Sequence, residues 1–250
     1  MDRRIFLSSL LAFPLARKSF AAALPWTARF VRGEFDGEAY QAGLLIKLDP
    51  DWKTYWRNPG ETGIPPQISA ITSTNLENLT FSFPLPKRYS DDSGEAIGYH
   101  DEVLFPVLLK PQDFSKPIHV KLEAFFGVCQ QVCTPAKIES ELEFTPSSAP
   151  QPDADLIASW QARVPKLGTI AKSITLSEKS LVLDLTKPFT DIFVEGPDRY
   201  YFTKPDFDRE AGKAWINIKG LKDSNDLKAI KLHITADDGG QGLEQAITLA

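Results

Sequence analysis

Apolar and polar positions alternate over short stretches along most of this chain, which is the period of half-buried β-strands. Ala42, Leu44, Ile46 and Leu48 alternate with their neighbours until Asp49-Pro50 breaks the run, and Leu79, Phe81 and Phe83 do so until Pro84. Residues 103–109 form a shorter apolar run interrupted by Pro106, which predicts an edge strand or a bulge because proline cannot donate to a ladder. Val120, Leu122, Ala124 and Phe126 alternate again, as do Ile138, Leu142 and Phe144. Further along, residues 174–176 and 181–185 flank the polar Ser177-Glu178-Lys179-Ser180, a hairpin pattern, and residues 192–194, 200–202, 214–218 and 230–234 continue the series. A helical period appears at Leu156, Ile157, Trp160 and Val164, with Asp153 placed to cap its start and Pro165 to stop it.

Short strands at this spacing, without long alternating helices, predict an all-β protein of antiparallel sandwiches and exclude a doubly wound sheet. Residues 145–152 carry three prolines and no apolar period, which is linker composition. The expected organisation is therefore a first sandwich over 24–147, a Pro/Ser linker with a short helix, and a second sandwich over 153–250. Residues 1–23 read as an export signal. Arg3-Arg4 precedes Phe6-Leu7 in the manner of a twin-arginine leader, a short apolar stretch follows, and Ala21-Ala22-Ala23 supplies a cleavage site. The expected location is the periplasm, where thiols can form disulfides.

Composition narrows the chemistry. A formal charge of -5 argues against a nucleic-acid binder, and no apolar run approaches the length of a membrane span. Two cysteines and three histidines leave little for an elaborate metal site. There is no G-x-S-x-G, H-E-x-x-H or phosphate-cradling glycine loop, and no resident cofactor is expected. What remains is Cys129-Gln130-Gln131-Val132-Cys133, set between two alternating stretches and hence in the connection between neighbouring strands. The familiar C-x-x-C redox motif uses a helix N-terminus to lower a thiol pKa, and no helix is predicted here. A passive staple is one reading, yet closing a loop of about five residues contributes only about 2 kcal/mol, against nearly 5 for a bridge between distant strands. A pair on a loop is better suited to being opened and closed. A soft-metal site holding Cu(I) on both thiolates is the third reading.

Around that pair the sequence resembles a known family. Trp52-Lys53-Thr54-Tyr55-Trp56-Arg57-Asn58-Pro59-Gly60-Glu61-Thr62-Gly63-Ile64-Pro65-Pro66 is similar to the W-x-x-YW-x-NPG-x-x-G-x-PP segment of the periplasmic N-terminal domain of thiol:disulfide interchange proteins of the DsbD and ScsB type. Phe83-Pro84-Leu85-Pro86, Gly98-Tyr99, Val103-Leu104-Phe105-Pro106 and the cysteine pair follow in the family's order. The three-residue spacing between cysteines favours the ScsB-like branch, and residues 153–250 resemble its second sandwich more loosely.

The resemblance implies an immunoglobulin-like domain whose cysteines relay reducing equivalents. A membrane-embedded thiol reductase reduces the pair, and the pair reduces periplasmic thioredoxin-like or disulfide-bearing proteins. Cys133 corresponds to the cysteine that enters the mixed disulfide, and Cys129 to the one that resolves it. A cap segment at residues 88–97, with Tyr89, Asp91 and Asp92, is expected to shield the pair, and Tyr99 follows that segment. Full-length relatives continue into membrane and thioredoxin-like domains, whereas this sequence ends at Ala250, so a separate reductase is expected. The alternatives are a copper-tolerance factor binding Cu(I) through Cys129 and Cys133, or a binding module whose bridge is inert. Trp52, Tyr55 and Trp56 read as sandwich core, Arg57 as the partner of a core-edge carboxylate or an exposed charge, and His100 as a surface histidine.

Overall fold

The alternating stretches become strands because each hides its apolar side against a facing sheet. The computed structural model describes residues 24–249 except 62, 92–93, 147–150, 198, 224–226 and 228. The export signal expected over 1–23 lies outside the described residues. One sheet of the first sandwich has the order β1 (Trp26–Phe35), β2 (Tyr40–Leu48), β8 (Glu102–Pro111), β5 (Leu76–Phe81). The facing sheet runs β10 (Cys133–Phe144), β9 (Ile118–Cys129), β3 (Lys53–Gly60), β7 (Gly94–His100), β6 (Lys87–Asp91), with β4 (Gln67–Thr74) also on β9. Leu44, Ile46, Leu104 and Leu109 from one sheet meet Trp56, Leu122, Phe126 and Val128 from the other in a single core.

The second sandwich has its own core, built around Leu181, Leu183, Ile192, Ile216 and Ile234. One of its sheets has the order β11 (Lys166–Leu167), β19 (Leu243–Thr248), β18 (Lys231–Asp237), β14 (Asp191–Glu195). The other has β12 (Ala171–Ser177), β13 (Ser180–Leu185), β17 (Lys213–Lys219) and β15 (Tyr201–Phe202), with β16 (Asp206–Asp208) also on β17. Pairing is antiparallel throughout the described residues except for the short parallel contact of β11 with β19. The described residues are thus all-β with one short α-helix, α1 (Ala154–Gln161).

Two local expectations are corrected. Pro106 lies in neither an edge strand nor a bulge: β8 sits between β2 and β5, and its register with β2 is unbroken through Gly43–Pro106. Proline is tolerated there because β5 ends opposite Val107. The Pro106 carbonyl accepts the Ser82 N–H at 2.9 Å, so the missing donor faces the side where the β5 ladder has already stopped. Asp153 stands at the N-cap of α1 but makes no side-chain cap bond. Its carboxylate instead takes both terminal nitrogens of Arg29 on β1, at 2.9 and 3.1 Å. The helix belongs to the first core, into which it inserts Ile157 and Trp160.

The two sandwiches meet through charge and rings. Phe193 of β14 packs its ring 5.7 Å from that of Trp56 and joins the first core. Arg57, which the sequence left between a carboxylate partner and exposure, binds Glu195 at 2.8 Å and also Glu244, both from the second sandwich. Burial alone would lower the Arg57 pKa, but the hydrogen bonds and charges of the two carboxylates raise it. The guanidinium also lies 4.5 Å from the centre of the Trp56 ring.

Truncating Ile157 to Ala, at a site with no solvent exposure, is expected to cost about 2–5 kcal/mol in urea unfolding of the first sandwich. A smaller effect belongs to Asp153, whose carboxyl is held below its ordinary value chiefly by the Arg29 hydrogen bond. Its contribution is complete above the unfolded carboxylate value of about 3.9 and is lost as pH falls through the lowered folded value. Comparing Asp153→Asn with the parent across pH 2–6 by thermal unfolding should show the difference shrinking toward the acid end.

Candidate functional site

The β9–β10 hairpin places the two cysteines. Its register runs without a break from Phe144–Ile118 to Cys133–Cys129, so the cysteines are direct cross-strand partners at the mouth of a three-residue loop. Their Cα atoms lie 4.2 Å apart, and the sulfurs form a disulfide. Side chains alternate across a strand, so Val128 and Phe126 enter the core while Cys129 and Gly127 face outward. The loop residues 130–132 are exposed, with Val132 at 76%. Cys129 is buried at 2% exposure, whereas Cys133 is half-buried. The bridge therefore presents unequal sulfurs.

Tyr55 reaches this bridge from β3. Its neighbours Thr54 and Trp56 face the core side, and Tyr55 turns outward to pack with Ala96, Cys129 and Cys133. The Tyr55 hydroxyl lies 3.0 Å from Cys133 Sγ. The segment that follows Asn58-Pro59-Gly60 explains how the ring is held. Gly63, at φ +132°, passes so close over Tyr55 that a Cβ there would lie 2.4 Å from the ring. Only glycine combines that backbone conformation with that approach. Beyond it, Ile64 accepts the Gly127 N–H at 3.0 Å, and the Thr54 hydroxyl donates to the Gly127 carbonyl at 2.8 Å. The strand carrying the cysteines is thus tied to the segment carrying Tyr55. Lys53, 6% exposed, is the register partner of Cys129 on one side and of His100 on the other. Register partners share a face, which sets a lysine position beside the buried sulfur.

The remaining sequence-derived residues are distributed differently. Residues 88–97 form most of the β6–β7 hairpin, and it is Ala96 that touches the bridge cluster. Tyr89 packs its ring 4.1 Å from that of His100. Burial, then the charge of Asp101, raises its pKa. Tyr99 lies in the core, edge-on to Phe105, and donates its hydroxyl to the Pro84 carbonyl at 2.7 Å. Burial holds that phenol far above its ordinary value, so it stays protonated. Neither tyrosine belongs to the apolar cluster around the bridge among the described residues. Asp91 pairs its backbone with Gly94, and Asp92 lies outside the described residues. Sequence reasoning missed Tyr55 and Lys53 as neighbours of the sulfurs, whereas Ala96 falls within the expected cap segment without being singled out. The signal available for Tyr55 was alternation, since Tyr55 and Trp56 are adjacent in a strand and cannot both face the core.

A disulfide with one half-exposed sulfur under a hydroxyl donor can accept a thiolate at that sulfur and release the other. The groups present suffice for exchange chemistry, in which the protein's own sulfurs carry the electrons.

Comparison with known proteins bears on the fold and the family. The N-terminal periplasmic domain of ScsB from Proteus mirabilis is similar over 96% of both chains, with a TM-score of 0.71 at 19% identity, a likeness of fold. The DsbD N-terminal domain of Neisseria meningitidis in its reduced form aligns with 50% of this chain and 90% of its own at 16% identity, with a TM-score of 0.28. No curated protein sequence matches the chain. Residues 22–145 match the family described as thiol:disulfide interchange protein DsbD, N-terminal. With its first sandwich, bridge included, the chain belongs to the DsbD N-terminal domain family.

Proposed function

We propose that this protein is a periplasmic thiol:disulfide interchange protein that passes two electrons at a time through Cys129 and Cys133. The observation that carries the reading is the asymmetry of the bridge: Cys133 is half-exposed beneath the Tyr55 hydroxyl, and Cys129 is buried. Membership of the DsbD N-terminal family and the ScsB-like fold support it.

In the oxidised protein, a donor thiolate attacks Cys133 Sγ, the bridge opens, and Cys129 leaves as a thiolate. The donor's second thiolate then attacks the donor sulfur of the mixed disulfide and releases Cys133. The donor departs oxidised, and the pair is a dithiol. In the reverse half, the Cys133 thiolate attacks a substrate disulfide, and Cys129 attacks Cys133 Sγ to expel the reduced substrate and restore the bridge. Tyr55 donates to the Cys133 sulfur when it is anionic, which stabilises both the attacking and the released form. The reading assigns the donor to a membrane-embedded thiol reductase and the acceptors to periplasmic thioredoxin-like or disulfide-bearing proteins.

Cys133→Ser is expected to abolish exchange, while Cys129→Ser accumulates a mixed disulfide visible on non-reducing gels. Equal substrate reduction by both variants and the parent would remove the relay. Tyr55→Phe is expected to raise the Cys133 thiol pKa, because it removes a hydrogen bond to a charged group. Since such a bond is worth about 1.5–3 kcal/mol, alkylation of the reduced protein near neutral pH should slow about tenfold or more, with its pH profile displaced upward.

A further inference from the structure

Taking the exchange reading as its basis, we infer that the second sandwich holds the β6–β7 hairpin closed against the bridge through Glu95. Arg88 and Tyr201 are then positioning residues of the exchange site. Ile97 and Tyr99 of β7 sit in the first core, but the ladder that joins the hairpin to β3 is incomplete. β6 is the outer strand of its sheet. Inside it, the β7–β3 ladder pairs His100–Lys53, Tyr99–Thr54 and Gly98–Tyr55, then breaks and resumes only at Ala96–Gly60. The break falls beside Ala96, which belongs to the cluster of Tyr55, Cys129 and Cys133.

The second sandwich supplies what the ladder lacks. Arg88 of β6 has its side chain only 6% exposed. It donates to Asp191 at 3.0 Å and to the Ile192 carbonyl at 3.2 Å, and it lies 5.0 Å from the centre of the Phe193 ring. Its remaining terminal nitrogen binds Glu95 on the partner strand β7. The same Glu95 oxygen accepts the Tyr201 hydroxyl from β15. Burial, then the Glu95 hydrogen bond, raises the Tyr201 pKa, so the phenol remains a donor. The Glu95 backbone is held as well. Its carbonyl accepts the Glu61 N–H at 3.0 Å, and Glu61 is paired to Lys219 of β17 at 3.0 Å. Both strands of the hairpin are thus fastened to the second sandwich within one residue of Ala96.

A purely adhesive interface would use Arg57 with Glu195 and Glu244 equally well, and that ion-pair cluster includes none of Arg88, Glu95 and Tyr201. It therefore serves as the control. The experiment compares the parent, Tyr201→Phe, Glu95→Gln and Glu244→Gln as oxidised full chains, each confirmed folded by cooperative unfolding. Reduction of the bridge is timed with reduced thioredoxin as a bulky probe, and amide exchange is read over residues 94–100. Tyr201→Phe and Glu95→Gln are expected to lower protection of those amides and to speed reduction about tenfold, the equivalent of one hydrogen bond to a charged group. Their double variant should be less than additive, as expected of one shared contact. Glu244→Gln should stay within about twofold of the parent.

Unchanged rates in Tyr201→Phe and Glu95→Gln overturn the clamp, even where amide protection falls. Equal acceleration by Glu244→Gln overturns it too, since the effect would then be general loosening. If amide protection falls but no variant, nor the parent, exchanges with any thiol, the exchange reading is what fails, and the clamp loses its function with it.

Discussion

The site depends on the register of one hairpin. From Phe144–Ile118 to Cys133–Cys129 the β9–β10 ladder carries no bulge, so the side-chain alternation that buries Val120, Leu122, Ala124, Phe126 and Val128 also turns Cys129 and Cys133 to the same outward face. A slip by one residue would exchange the two faces, putting cysteine into the core and valine outside. Burial of the inward row therefore fixes the meeting of the sulfurs, and the fold's largest stabilising term also positions its chemistry. On the same outward face Lys121 meets Glu139, and Lys137 meets Glu123 and Glu139. Those exposed pairs contribute little energy but keep this broad, solvent-facing part of the sheet polar up to the bridge.

The inequality between the sulfurs follows from their place at the end of that ladder. Cys129 is the last residue of an interior strand and is buried in a cluster with Tyr55 and Ala96. Cys133 opens an outer strand and borders the exposed loop. In the proposed exchange an incoming thiolate meets Cys133 first on steric grounds, and the hydroxyl at 3.0 Å gives that sulfur a donor when it becomes charged. Redox sites of the C-x-x-C type obtain thiolate stabilisation from a helix N-terminus. In the proposed exchange one side-chain donor, with a glycine pressed on its ring, takes that role.

Sequence pattern carried the strands and the cysteine hairpin because each is a local signal. Alternation over Val120–Phe126 and again over Ile138–Phe144 needs no partner to be recognised. What escaped it depends on distant neighbours. Pro106 predicts an edge only if nothing is known of where β5 stops. Asp153 looks like a cap until Arg29, from the first strand, takes both oxygens of its carboxylate. Tyr55 was grouped with its aromatic neighbours because composition does not reveal which side of a strand faces a facing sheet. Arg88 and Glu95 fall inside the expected cap segment without being singled out and Tyr201 carries no signal, since their meaning arises only when two sandwiches dock.

That docking surface has a physical character suited to adjustment. Arg57 and Arg88 each lie over an aromatic ring, Trp56 and Phe193 respectively, and each is met by carboxylates from across the interface. Paired charges withdrawn from water contribute less net stability than apolar contact of equal area, because the desolvation cost offsets much of the attraction. Their strength lies in geometry, since a misplaced partner leaves a buried charge uncompensated. An interface of this kind holds the hairpin in one arrangement without binding it very tightly. On the proposed clamp, loss of a single hydrogen bond shifts an opening equilibrium instead of unfolding a domain, and the strand concerned, β7, carries Ala96 of the bridge cluster.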